Sequence, residues 1–167
     1  MSNPPVKPRK WASAYANAKL LAINTCSGYR GTVGDPAGPH HDFSLGASDE
    51  ALGGALLDCL AHSRFLDTPE LRAELFHPDA VAHYYATWIE RLMQFGGFKT
   101  KRALLMGMQC CEIEQEGDSI TIEPTHHEKL EAWSGEGFTK ADHVVISAQE
   151  SLPAIGAALR EAFRRCT

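Results

Sequence analysis

The sequence is short of the signatures by which many enzyme families announce themselves. It has no glycine-rich phosphate loop, no nucleophile elbow and no helical pair of histidines around a glutamate, so three common catalytic architectures have no local trace in it. Its five cysteines, Cys26, Cys59, Cys110, Cys111 and Cys166, include no CxxC pair. An odd number with two adjacent members builds neither a disulfide framework nor a zinc ribbon, and reduced thiols are the expectation. An excess of positive charge is also lacking: the formal net charge is −5, which disfavours nucleic acid and anionic membrane as direct partners. No apolar run is long enough to cross a bilayer, and no apolar segment follows the basic stretch Met1 to Lys10. The expectation is therefore a cytoplasmic chain without secretory signal, cofactor or bound metal.

What is present is an ordinary globular composition, 44% hydrophobic and 22% charged over 167 residues, enough to bury one continuous core. Residues 1–10 read as a flexible basic tail and 11–167 as a single domain. Residues 11–25 are apolar and end in Leu20, Leu21, Ala22 and Ile23, which reads as a strand with helix as the alternative. Residues 26–41, with four glycines and two prolines, read as a long loop, and Asp42 to Leu45 as a short strand.

The helical signals are sharper. Ser48 is an N-cap candidate, followed by Leu52, Leu56 and Leu60 at four-residue spacing. Thr68-Pro69 opens a short helix with Leu71 and Leu75 inward. Pro78 opens another, with a stripe of Val81, Tyr84, Tyr85, Trp88, Ile89, Leu92 and Met93 that Gly96 and Gly97 stop. The last, from about Pro153, puts Leu152, Ile155, Leu159, Ala162, Phe163 and Cys166 on one face. Arg102 to Met108 is an apolar run read as a strand buried on both sides. Cys111 to Gln115 and Ser119 to Glu123 alternate around Glu116-Gly117-Asp118, a hairpin with Ile113, Ile120 and Ile122 facing one way. His143 to Ser147 is a further strand. The fold class that follows is α+β: a mostly antiparallel sheet with a β-hairpin, packed against three to four helices including a C-terminal one.

Two clusters could carry chemistry. His126-His127-Glu128 is the densest ligand-like group, yet three consecutive residues cannot all face one ion, and a polar turn after the hairpin is the plainer reading. A small hydrolase built on these residues or on Cys110 or Cys111 is the enzymatic alternative, and a regulatory interaction module a third. Charge distribution says more. Between Cys110 and Glu136 eight acids face a single lysine. Glu112, Glu114, Thr121 and Glu123 share the hairpin face opposite the isoleucines. Such a face is either solvated surface or a plate for a basic partner, and the candidate contacts are Glu112, Glu114, Glu116, Asp118, Glu123 and Glu128.

Four segments, in order and spacing, carry a resemblance: SRFLD (Ser63 to Asp67), FKTKRALLMGM (Phe98 to Met108), ITIEPTHHEKLEAW (Ile120 to Trp133) and IGAALREAFRRC (Ile155 to Cys166). Together they resemble the immunity proteins of bacterial contact-dependent growth inhibition systems, over roughly residues 45–167; the N-terminal third matches poorly. The resemblance implies a cytosolic, non-catalytic partner that binds the C-terminal toxin domain of a large secreted effector and occludes its active site. It also implies that the toxin is commonly a nuclease, including tRNA-cleaving ones, with a basic groove that clustered carboxylates could fill. The shared motifs then read as fold determinants, with Lys99, Lys101 and Arg102 pairing with acids such as Glu131. Oligomeric state stays open.

Overall fold

Alternation along four central strands sets the architecture of the computed structural model, which describes residues 4–167. Ala12 and Ala14 of β1 (Lys10–Ala16), Leu21 and Ile23 of β2 (Leu20–Gly28), Cys111 and Ile113 of β5 (Gln109–Glu116), and Ile120 and Ile122 of β6 (Ser119–Pro124) bury one face of a seven-stranded sheet. That face packs on α1 (Asp49–Ala61) and α5 (Leu152–Arg165), through Leu52, Leu56, Leu60, Ile155, Leu159 and Phe163. The strand order is β3-β2-β1-β5-β6-β9, every ladder antiparallel, with β3 (Thr32–Gly34) and β4 (His40–Ser44) sharing the outer edge of the long β2 and β9 (Val144–Ser147) closing the far edge.

The opposite face is covered only in part. Leu20 and Ala22 pack there against Trp88, Ile89 and Leu92 of α3 (Pro78–Gly96) and Leu104 and Leu105 of the short α4 (Lys101–Leu105). A separate two-stranded sheet, β7 (His126–Lys129) with β8 (Ala132–Ser134), adds Trp133 beside them. The short α2 (Pro69–Leu75) precedes α3 and buries Leu75, while Leu71 is exposed.

The helix starts follow the caps. The Ser48, Thr68 and Ser151 side chains accept from the backbone N–H three residues on, and α3 ends at Gly97, whose φ of 71° is the left-handed conformation that glycine enters freely. Several expectations change. Residues 11–25 are not one strand: Asn17 turns the chain, its Oδ1 accepting from the backbone of Lys19 and Leu20, so two strands pair with each other. Residues 26–41 are not one loop, because β2 runs on to Gly28, β3 follows, and β4 begins at His40. The run from Arg102 is not a strand but one turn of helix, capped by Thr100 accepting from Ala103 N–H. Of the tail read at residues 1–10, residues 1–3 lie outside the described residues; Lys7 and Arg9 reach Glu116 and Glu114 of β5 at 3.5 and 2.9 Å.

Candidate functional site

The same alternation that buries one face presents Trp11, Ser13 and Tyr15 of β1, and Cys110, Glu112 and Glu114 of β5, on the other. α3 stands over this second face without covering it. Between them lies a cleft of about 570 Å³, walled by Tyr84, Tyr85 and Trp88 on one side and Trp133 on another. Its aromatic groups brace one another. The Tyr15 ring lies 4.8 Å from Trp88 and 5.4 Å from Trp133, within the range of tilted and edge contacts. Trp133 is fixed from behind, donating through Nε1 to the carbonyl of Met108 at 2.8 Å and stacking on His127 at 4.8 Å.

Four glutamates line the cleft, and they differ in what neutralises them. Glu114 accepts from Arg9 at 2.9 Å. Glu131 accepts from Lys101 at 2.8 Å and from the Tyr85 hydroxyl, as expected for that lysine. Glu112 and Glu123 are direct cross-strand partners, and among the described residues neither pairs with a lysine or arginine; Glu123 has only His143 Nδ1, 3.9 Å away. Glu112 is exposed as a residue, but partial desolvation of its carboxyl in the cleft, and then the like charge of Glu123, raise that carboxyl above its ordinary value.

Of the six acids singled out in the sequence, Glu112, Glu114, Glu116 and Glu123 do share the outer face of the hairpin, and Asp118 sits in its turn, accepting from Gln149 at 3.4 Å. Glu128 is elsewhere, on β7, where its carboxylate accepts from the Ser134 hydroxyl at 2.6 Å. The cluster His126-His127-Glu128 is not a polar turn but that strand, and its members diverge. His126 Nδ1 meets the Thr167 hydroxyl at 2.8 Å, and His127 Nε2 meets the carbonyl of Leu130 at 2.9 Å. Among the described residues no three His, Cys, Asp or Glu side chains converge as metal ligands would.

The adjacent cysteines part company. Cys110 lines the cleft and Cys111 lies in the helix-facing core. Burial pushes the Cys110 thiol up, and the contact with the Cys166 sulfur 3.6 Å away, then burial, raises Cys111, so neither sits in a setting that favours a thiolate. Hydrogen bonding from Cys111 lowers Cys166 to about 7, on the far side of the sheet from the cleft.

The sequence reading missed Arg9, Trp11, Tyr15 and the aromatic wall of α3. A signal existed for β1, where alanines alternate with Trp11, Ser13 and Tyr15 up to Ala16. None existed for the approach of Trp133 to Tyr15, which spans more than a hundred residues.

The site is thus an acidic, aromatic-walled recess on the open face of an antiparallel sheet whose other face is sealed under two helices. The particular family follows from its relatives. The profile of the CDI immunity protein family, CdiI, matches residues 10–166, and the chain belongs to that family; the match reaches back through the N-terminal third. The immunity protein CdiI-YPIII of Yersinia pseudotuberculosis serotype O:3 (strain YPIII) is 40% identical over 168 residues, covering 93% of this chain and 94% of that one. Among solved structures, a chain of the CdiA-CT/CdiI toxin and immunity complex from Yersinia pseudotuberculosis superposes with a TM-score of 0.89 at 39% identity, covering 96% of this chain and 98% of that one. A protein of unknown function from Neisseria meningitidis, NMB0488, matches over the full length of both chains with a TM-score of 0.87 at 34% identity.

Proposed function

We propose that this chain is the immunity partner of a contact-dependent growth inhibition toxin. In the cytoplasm it binds the C-terminal toxin domain of a large secreted effector and masks that domain's active site, with no catalysis of its own. The observation that carries the reading is its likeness, over nearly the whole chain, to a component of a toxin and immunity complex. Among the described residues no helix is long and apolar enough to cross a membrane.

The toxin is a nuclease, a tRNase being one form it takes, and the hairpin's outer face is the surface that meets it. Glu112, Glu114, Glu116 and Glu123 gather negative charge on the hairpin's outer face and Asp118 adds to it in the turn, with Glu128 of β7 as an outlying contact. A groove built for a phosphate backbone is basic, and a carboxylate-rich surface complements it and steers the encounter. Co-expression with the neighbouring toxin domain is the test. A stoichiometric complex and intact cellular RNA and DNA are expected; cells lacking the chain should show cleaved nucleic acid. No complex overturns the immunity reading, and growth arrest with all nucleic acid intact overturns the nuclease.

A further inference from the structure

We infer that the cleft between α3 and the sheet is a socket for one cationic side chain of the toxin, an arginine or lysine. That side chain sits between the Glu112 and Glu123 carboxylates and against the rings of Tyr15, Trp88 and Trp133. The inference rests on the immunity reading and adds to it a single anchoring point, distinct from the diffuse attraction of an acidic surface.

Three observations converge. The first is an imbalance of charge. The cleft is lined by four carboxylates and two guanidinium groups, and the two cations are already placed. Arg9 is bound to Glu114 and lies 5.4 Å over the Trp11 ring, while Arg30 is exposed at the rim, 5.6 Å over Tyr29, and pairs with no carboxylate among the described residues, so it offsets only part of the negative charge. Glu131 is likewise held by Lys101. The uncompensated charge therefore concentrates on Glu112 and Glu123, two like charges set directly opposite on neighbouring strands, an arrangement that disfavours the free protein. A cation between them would remove the repulsion.

The second is the wall. Tyr15, Trp88 and Trp133 are close-packed aromatic groups facing the same space as those carboxylates. Ring faces beside carboxylates are the combination that accepts a guanidinium or ammonium group out of water. The third is a donor left over. Trp88 is buried and lines the cleft, and its indole Nε1–H, enclosed away from solvent, has no acceptor among the described residues, a cost already carried by the free chain in the wall of the cleft. A volume of about 570 Å³ holds a long basic side chain together with the backbone that presents it.

An occupied socket acts on dissociation, whereas an exposed acidic rim acts on association. The test measures both rates for the toxin complex at low and high salt. Glu112→Gln with Glu123→Gln keeps the side-chain shape and removes the charge, and thermal melting checks that the variant folds. Dissociation is expected to speed up at least tenfold and to stay fast at high salt. In parallel, N-acetylarginine amide is titrated into the free chain, with the citrulline amide as neutral match, while the Trp88 and Trp133 indole resonances are followed. The arginine compound alone should shift them. A folded double variant that releases toxin at the wild-type rate overturns the socket, as does an arginine titration that moves neither indole. Failure of the wild-type chain to bind toxin overturns the immunity reading instead, and the titration still reads the cleft.

Discussion

Gly156 of α5 lies directly against the carbonyl oxygen of Asp49 in α1: a Cβ at Gly156 would stand 1.9 Å from it. The approach is reciprocal, since a Cβ at Gly53 would stand 2.0 Å from the carbonyl oxygen of Leu152. One turn beyond Gly156, Arg160 Nε closes on the Asp49 carboxylate at 2.6 Å. The helix pair that seals the core is thus joined backbone to backbone.

Gly156→Ala tests that contact. Alanine in place of glycine favours an isolated helix by about 1 kcal/mol. Here the added methyl meets backbone that cannot rotate away, and overpacking costs about 1–3 kcal/mol. A net loss of stability is expected, seen as a melting temperature lower by a few degrees. A variant as stable as wild type would mean that the two helices separate freely.

The ion pair of Asp35 and Arg64 should govern acid stability. The Asp35 carboxylate is buried and accepts from Arg64 Nε at 2.7 Å, Arg64 Nη2 at 3.0 Å, the Ser27 hydroxyl at 2.6 Å and Ala37 N–H at 2.9 Å. Burial pushes its pKa up, but these hydrogen bonds outweigh it and the carboxyl ends below its ordinary value. A lowered folded pKa gives stability that is complete above the unfolded value of about 3.9 and disappears as pH falls through the lower folded one. Asp35→Asn is expected to melt lower than wild type at pH 7 by about 1–3 kcal/mol. The two proteins should converge below pH 4. A constant gap down to pH 2 would contradict it.

Glu112 should show the reverse dependence. Its raised pKa means that ionisation opposes folding, an effect absent below the unfolded value of about 4.3 and complete once the pH passes the folded one. Glu112→Gln should stabilise the free chain at neutral pH by a few tenths to about 1 kcal/mol, the scale of a like-charged cross-strand pair. The gain should vanish in acid. A destabilised variant at pH 7 would show that the carboxylate holds the fold.

Reversing the rim separates steering from anchoring. Glu116 meets Lys7 only at 3.5 Å with both side chains exposed, and Asp118 sits in the hairpin turn, so Glu116→Lys with Asp118→Lys should fold normally. Toxin association at low salt should slow on the order of tenfold, with little change in dissociation. The difference should shrink as salt rises. Equal association rates would place the hairpin tip away from the toxin.

Capping chemistry and strand alternation made most of the frame legible: Ser48, Thr68 with Pro69, the stop at Gly97, and the hairpin alternation that sets Glu112, Glu114 and Glu123 opposite Ile113, Ile120 and Ile122. The errors fell where a short apolar run carries no period. Ala103 to Leu105 is helical because Thr100 caps it, a signal as local as the one at Ser48, but a single turn is too short for periodicity to corroborate. Asn17 similarly marks the turn that splits β1 from β2. The acids of the candidate surface were visible one by one; which of them are already neutralised was not. That depends on Arg9 reaching Glu114 across 105 positions and Lys101 reaching Glu131 from another element. The cleft itself arises from tertiary placement of α3 and β8, which no local pattern encodes.

Because consecutive residues on β1, β5 and β6 point to opposite sides of the sheet, the chain carries two nearly independent vocabularies interleaved letter by letter. Ala14, Cys111, Ile113, Ile120 and Ile122 belong to the sealed side, and Ser13, Tyr15, Glu112, Glu114 and Glu123 to the open one. Substitution at the second set alone would recast the recess and leave the scaffold under α1 and α5 unaltered. One sequence thus separates what must stay fixed for folding from what is free to change on the surface.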